Sequence, residues 1–247
     1  MIPKIIHYCW FGHGEKSKLI NKCIHSWKLY LPDYKIIEWN EDNFNVNEIV
    51  FTQEAYEKHK WAFVSDYARL YALNKFGGIY LDTDVELFKN LDCFLENNFF
   101  LGYESNDYPG TAIIGSSLQN IILEELIIYY KNQRFVLENG KYNILPNPWI
   151  FAKILKDKGI ILDGKERKSA IITLYDQLLF YPNNIGLIWN KKHRRTFAIH
   201  HCEQTWRDEE IRDFSKLKYR VRRYFVKILQ NMIGTETLGK IKHFIKK

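Results

Sequence analysis

A helix, two glycines, a short apolar strand and two carboxylates follow one another inside a single segment, and that order constrains the fold more than any bulk property. The segment reads WAFVSDYARLYALNKFGGIYLDTDV, from Trp61 to Val85. Trp61 to Phe76 predicts a helix stopped by Gly77-Gly78, where the missing Cβ atoms allow a tight turn. Ile79–Leu81 then predicts a strand that runs into Asp82-Thr83-Asp84. Side chains alternate along a strand, so Asp82 and Asp84 are expected to face the same way. Two such carboxylates at the mouth of a sheet repel unless a cation sits close by. Mg²⁺ and Mn²⁺ favour oxygen ligands and commonly bridge to substrate phosphates. A solvated acidic turn has the same sequence, so the pair alone decides little. On the preceding helix Asp66 and Arg69 are three apart and share a face. With Ser65 they make a polar cluster, unless they are only a surface ion pair worth a few tenths of a kcal/mol.

Around this segment, strand and helix patterns alternate. Ile2–Cys9 predicts a strand buried on both faces, Ser17–Leu31 a helix stopped at Pro32-Asp33, and Tyr34–Trp39 a second strand. A polar loop covers Asn40–Asn47, and residues 52–76 are helical with a break near His59–Trp61. Phe99–Tyr103 and Ala112–Ile114 predict strands and Leu118–Lys131 a helix. Pro146 to Trp149 is a loop entering another helix, Tyr181-Pro182-Asn183-Asn184 a turn, and Phe197–His200 a late strand. The alternation argues an α/β sheet. With no repeat or low-complexity linker, the economical division is one domain over residues 1–210 and a tail over 211–247.

The formal charge of +7 suggests nucleic acid until it is mapped. Residues 216–247 hold ten Lys/Arg against Glu236 alone, a net of +9, which leaves the other 215 residues at −2. Leu217, Val221, Tyr224, Ile228 and Met232 recur at helical spacing, and Leu238, Ile241, Phe244 and Ile245 repeat the pattern. Basic residues flank both stripes, as in a helix lying on an anionic membrane surface. The same stripe could instead pack on the body. No nucleic-acid-binding signature supports a nucleic-acid partner. The longest apolar runs are a few residues, against the roughly 20 needed for a membrane span, and MIPKIIHYCWFG lacks the unbroken apolar stretch of a signal peptide. The expectation is a cytoplasmic chain. Cys9, Cys23, Cys93 and Cys202 show no CxxC spacing, which argues against zinc fingers and for reduced, mostly buried thiols.

IPKIIHYCWFG at the start, Ser26-Trp27, Pro32–Tyr34, SDYARLYALNKFGGIYLDTDV, Phe180–Pro182 and AIHHCEQTW at Ala198–Trp206 occur in the order seen in one group of enzymes. The chain resembles family 32 type glycosyltransferases with a DXD motif. These include transferases of capsular-polysaccharide and lipooligosaccharide synthesis, more distantly the clostridial glucosylating toxins. The resemblance implies a glycosyltransferase A-type, Rossmann-like α/β fold, a nucleotide-sugar donor, by family habit a UDP-sugar, and Mn²⁺ or Mg²⁺. By that likeness Trp10 would stack on the base, and Asp66 and Arg69 would hold the donor sugar and diphosphate. Asp82 would touch the ribose or the metal shell, and Asp84 would bind the metal. His200 or His201 would reach the metal from the late strand, and Trp206, beside Thr205, would close a loop over the diphosphate. Gly77, Gly78 and Tyr80 would border the donor. The family retains anomeric configuration, which implies a front-face displacement.

Two places depart from the family pattern: Pro146-Asn147-Pro148 stands for Thr-Gly-Pro, and Gly110-Thr111 stands where an Asn is common. Both bear on the sugar and the acceptor. Lipid-linked acceptors at an inner leaflet would give the basic tail a purpose, with the protein peripheral on that membrane. Two rivals remain at this stage. LDTDV also fits the nucleophile motif of haloacid-dehalogenase-type phosphatases, although no Asp-Asp follows to complete their Mg²⁺ site. A non-catalytic nucleotide-sugar or glycan binding protein would bind the donor without turnover.

Overall fold

The computed structural model describes residues 1–182 and 194–202. In chain order the elements are β1 (Ile5–Cys9), α1 (Lys18–Tyr30), β2 (Lys35–Trp39), α2 (Val50–Glu57), α3 (Trp61–Phe76), β3 (Gly78–Leu81), β4 (Val85–Leu87) and β5 (Phe99–Tyr103). They continue with β6 (Pro109–Ser116), α4 (Ile121–Lys131), α5 (Asn147–Asp157), β7 (Arg167–Lys168), β8 (Thr173–Tyr175), α6 (Gln177–Phe180) and β9 (Ala198–His200). Sequence signals set several of these ends. Ser17 accepts a hydrogen bond from the Ile20 N–H and so caps α1, as a serine at that position should. The expected break between α2 and α3 falls at His59, whose φ is +55°. β1 begins three residues later than expected: Pro3 has no N–H to give a ladder, and Ile2 donates its own to the Leu95 carbonyl at 2.7 Å. α4 begins at Ile121 because Asn120 caps it, accepting from the Ile122 N–H.

Seven strands form one sheet in the order β2-β1-β3-β6-β5-β8-β7, and β4 pairs with β9 in a separate ribbon. β2, β1, β3, β5 and β8 run one way, while β6 and β7 run against them. The reversed β6 follows from its connection. Only residues 104–108 join it to β5, too few for a crossover between parallel strands. Alternate residues serve opposite faces: Tyr80 of β3 packs with α3, α4 and α5 side chains such as Leu70, Ile122 and Phe151, while Ile79 and Leu81 pack with Trp27 of α1, Phe94 and Phe180.

Gly77 and Gly78 take φ values of +61° and +107°. A Cβ on Gly78 would lie 2.6 Å from the Ile5 carbonyl oxygen, so bare backbone is what lets β3 enter beside β1. His7, buried below them, bonds the Gly77 carbonyl through Nε2 at 2.8 Å and accepts from Trp39 Nε1 through Nδ1 at 3.0 Å. The indole only donates, so Nε2 carries the imidazole proton. Burial lowers the His7 pKa to about 4. Among the described residues no helix is long and apolar enough to cross a membrane. All four cysteines are free; Cys9 and Cys23 are buried, Cys93 is exposed and Cys202 lies between, so the expected burial holds for two of them.

Candidate active site

β3 ends at Leu81, and Asp82, Thr83 and Asp84 make the connection into β4. The two carboxylates therefore do not alternate along a strand as the sequence predicts; a turn brings them together. The Val85 N–H closes it on the Asp82 carbonyl at 3.0 Å, and the Asp82 N–H donates to the Ala112 carbonyl of β6 at 2.8 Å. β4 is fastened to α1: Trp27 Nε1 donates to the Val85 carbonyl at 2.7 Å, and the Leu87 N–H donates to Ser26 Oγ at 2.9 Å. The Ser26-Trp27 pair is thus a brace for the acidic turn.

His200 enters opposite Val85 in the β4–β9 ribbon. Its Nε2 stands 3.3 Å from Asp84 Oδ1. One ligand atom each from Asp82, Asp84 and His200 lies within 4.8 Å of the others. Two carboxylates and an imidazole suit Mn²⁺, whereas Mg²⁺ is better served by oxygen alone. Burial opposes a charge on His200, but Asp84 and Cys202 outweigh it and raise its pKa well above the usual value. The neighbouring His201 is turned away: its Nε2 is 3.0 Å from Glu86, which also takes Lys22 at 2.8 Å. What His201 gives the site is its N–H, bonded to the Asp84 carbonyl at 3.0 Å.

Arg69 is 5 % exposed, so its pair with Asp66 is not a surface contact. Nη2 is 2.9 Å from Asp66 and Nη1 is 3.3 Å from Asp82. Nη1 also donates to the Thr111 carbonyl at 2.8 Å and Nε to the Ser65 carbonyl at 3.2 Å. The guanidinium lies 4.5 Å from the Tyr80 ring centroid, and the Tyr80 hydroxyl donates to Asp82 at 2.9 Å. In this geometry Arg69 clamps two carboxylates. Burial works against its charge, yet Asp82, Tyr80 and Asp66 hold its pKa above the usual value. Burial, reinforced by Asp82, pushes the Asp66 carboxyl up to about 6 against the pull of Arg69 and Asn147.

Two contributors escaped the sequence reading. Asn147, buried at the start of α5, donates to Asp66 Oδ1 at 3.0 Å and accepts from the Tyr130 hydroxyl at 3.0 Å. Its position between two prolines, where the family pattern is broken, was the signal available. Tyr181 sets its ring edge-on to His200, with centroids 6.0 Å apart, and its hydroxyl accepts from the Ile113 N–H at 3.1 Å. A Cβ on Gly110 would fall 2.2 Å from the Tyr181 ring, which explains the glycine at the other departure.

The remaining candidates are spread out. Trp10 follows β1, donates through Nε1 to the Gly14 carbonyl at 2.7 Å and carries Lys16 over its ring at 5.3 Å. Gly77 and Gly78 sit at the start of β3, whereas the carboxylates follow its end. At about 3.3 Å per strand residue that separation keeps them off the acidic turn, and their role is the approach of β3 to β1. Tyr80 is 2 % exposed and supports Asp82 and Arg69 from below. Thr205, Trp206 and the basic segment 216–247 lie outside the described residues.

Residues 17–101 match the family model described as a glycosyltransferase sugar-binding region containing a DXD motif. An uncharacterized glycosyltransferase of Acanthamoeba polyphaga mimivirus is 29% identical over 195 residues, covering 75% of each chain. Inositol phosphoceramide mannosyltransferase 1 of Schizosaccharomyces pombe is 29% identical over 126 residues, 47% of this chain and 36% of that one. The chain thus spans about a third of that relative's length. Among solved structures, the PaToxG glycosyltransferase superposes with a TM-score of 0.49 at 19% identity, over 64% of this chain and 70% of the other.

Proposed function

We propose that the chain is a glycosyltransferase of the DXD family, carrying out a metal-dependent, retaining transfer of sugar from a nucleotide-sugar, by family habit a UDP-sugar, to a hydroxyl of a lipid-linked glycan acceptor. Capsular-polysaccharide and lipooligosaccharide precursors are the acceptor class. The observation that carries the reading is the convergence of Asp82, Asp84 and His200 on one braced turn. A divalent ion held by these three would neutralise charge on the departing nucleoside diphosphate.

The protein's own groups do the rest. Arg69 keeps Asp66 and Asp82 from repelling each other, so it acts as a positioning residue. Asp66, whose Oδ1 is taken by Arg69 and Asn147, accepts donor-sugar hydroxyls at its second oxygen. The route we assign is front-face displacement, as the family resemblance implies, without the covalent glycosyl-enzyme intermediate of retaining glycosidases. The matched mannosyltransferase is named for inositol phosphoceramide, a lipid-borne acceptor, which supports an acceptor of that kind and puts mannose among the donor sugars to try.

The test is release of nucleotide from a panel of UDP- and GDP-sugars, with and without Mn²⁺, by the wild type and Asp84→Asn. Slow Mn²⁺-dependent cleavage of one donor, reduced at least about a hundredfold in the variant as for loss of an electrostatic catalyst, is expected. Binding of a donor without cleavage, even with lipid-linked acceptors supplied, would replace the transferase with a binding module.

A further inference from the structure

His200 has two ring nitrogens, and only Nε2 faces Asp84. Its Nδ1 stands 3.5 Å from Cys202 Sγ, and one ligand atom each from Glu104, His200 and Cys202 lies within 4.8 Å of the others. We propose that these three residues form a second metal site, selective for zinc-type ions, that shares His200 with the Asp82–Asp84 site.

Bond lengths argue for it. A tetrahedral zinc with a thiolate at about 2.3 Å and an imidazole at about 2.05 Å sets sulfur and nitrogen roughly 3.5 Å apart, the separation found here. The donor set matches as well, since Cys, His and Glu side chains are all ordinary zinc ligands. The backbone holds two of the ligands in place. Cys202 directly follows the His200–His201 pair after β9, at φ +58°. Glu104 is fixed at the end of β5 by its N–H on the Tyr108 carbonyl at 3.1 Å and by Gln177 donating to its carbonyl. Of the other thiols, Cys9 and Cys23 are buried and Cys93 is exposed on a separate 3-10 turn.

The two sites differ in chemical preference. Asp82, Asp84 and His200 suit a hard ion, while the thiolate draws a softer one. A neutral imidazole has a single lone-pair nitrogen, so a cation on Nδ1 leaves the ring proton on Nε2, which then donates to Asp84 instead of ligating a second ion. Zinc in the second site therefore weakens Mn²⁺ binding at the first, which makes the pair an inhibitory switch. The zinc site goes beyond sugar transfer and does not depend on it; the inhibition rests on that reading.

The experiment titrates Co²⁺, as a spectroscopic stand-in for zinc, into the full-length chain and follows the thiolate-to-cobalt charge-transfer absorption. Wild type and Cys93→Ser should show the band. Cys202→Ser and Cys202→Ala should lose it while keeping the wild-type circular dichroism spectrum. Glu104→Gln should bind at least roughly tenfold more weakly, the minimum cost of losing even an outer-shell partner. No band in the wild type, or a band that persists in both Cys202 variants, overturns the site. In Mn²⁺-dependent donor cleavage, zinc should inhibit the wild type and spare Cys202→Ser; equal inhibition of both overturns the switch. If no donor is cleaved, the cobalt spectrum still decides the site.

Discussion

Asn147 shows how much a single amide can set in a buried site. Asp66 shares one guanidinium with the partly exposed Asp82, so Asp66, itself mostly out of bulk water, has only part of that positive charge to itself. The amide of Asn147 returns part of the lost solvation to Asp66, and Tyr130 fixes which end of the amide points there. Replacing Asn147 by Leu leaves the Tyr130 hydroxyl and Asp66 without that partner, a loss of about 1–3 kcal/mol for a buried hydrogen-bond pair broken on one side. It also removes a group that lowers the Asp66 pKa. Urea denaturation should show the stability loss, and the acid limb of the donor-cleavage pH profile should move to higher pH. An unmoved profile with reduced stability would make Asn147 merely structural. Asp66 and Arg69 were legible in the sequence from helix spacing, and Asp82 and Asp84 from the motif that carries the family resemblance, although the strand alternation expected of that pair gives way to a turn. Asn147 and Tyr181 were not, because they arrive from other elements and no local pattern announces a long-range contact.

The junction of β1, β2 and β3 carries the clearest pH response among the described elements. His7 is satisfied as a neutral ring, with Nε2–H on the Gly77 carbonyl and Nδ1 accepting from Trp39. A second proton would set Nδ1–H against the indole N–H. With a folded pKa near 4 against an ordinary 6.5, the native state binds fewer protons than the unfolded chain between those values. Stability from this group is complete above pH 6.5 and is lost as pH falls toward 4, by about 3 kcal/mol at about 1.36 kcal/mol per pKa unit. His7→Gln is less stable throughout but lacks this slope. The difference in urea-unfolding free energy between wild type and variant should therefore shrink from pH 7 to pH 4; a constant difference would remove His7 as the cause. Elements with local signals were legible here, including α1 with its Ser17 cap and α3 ended by Gly77. The reversed direction of β6 and the turn geometry of Asp82–Asp84 were not. Strand direction depends on connection length, and the carboxylates converge through braces from α1, β6 and β9 rather than through the strand's own pleat.

At the scale of the whole molecule, charge is divided between two regions of opposite sign. Residues 216–247 carry +9 and the rest of the chain −2, so an anionic surface repels the body weakly and attracts the tail strongly. Each basic residue near such a surface contributes about 1 kcal/mol, and ten are available. Even partial engagement outweighs the repulsion, which falls off over a Debye length of about 10 Å at 0.1 M salt. Confining the enzyme and the proposed lipid-borne acceptor to one surface would raise their effective concentration. The full-length chain should therefore sediment with anionic vesicles at low salt, release as salt rises, and ignore neutral vesicles. Removing residues 216–247, or changing their ten Lys and Arg to Gln, should abolish binding, reduce transfer to acceptors embedded in vesicles, and leave cleavage of the soluble donor unchanged. Vesicle binding that survives both changes would assign membrane contact to the body. If binding is lost together with donor cleavage in the Gln variant, the tail serves the active site itself, as it would if its apolar stripes packed on the slightly acidic body.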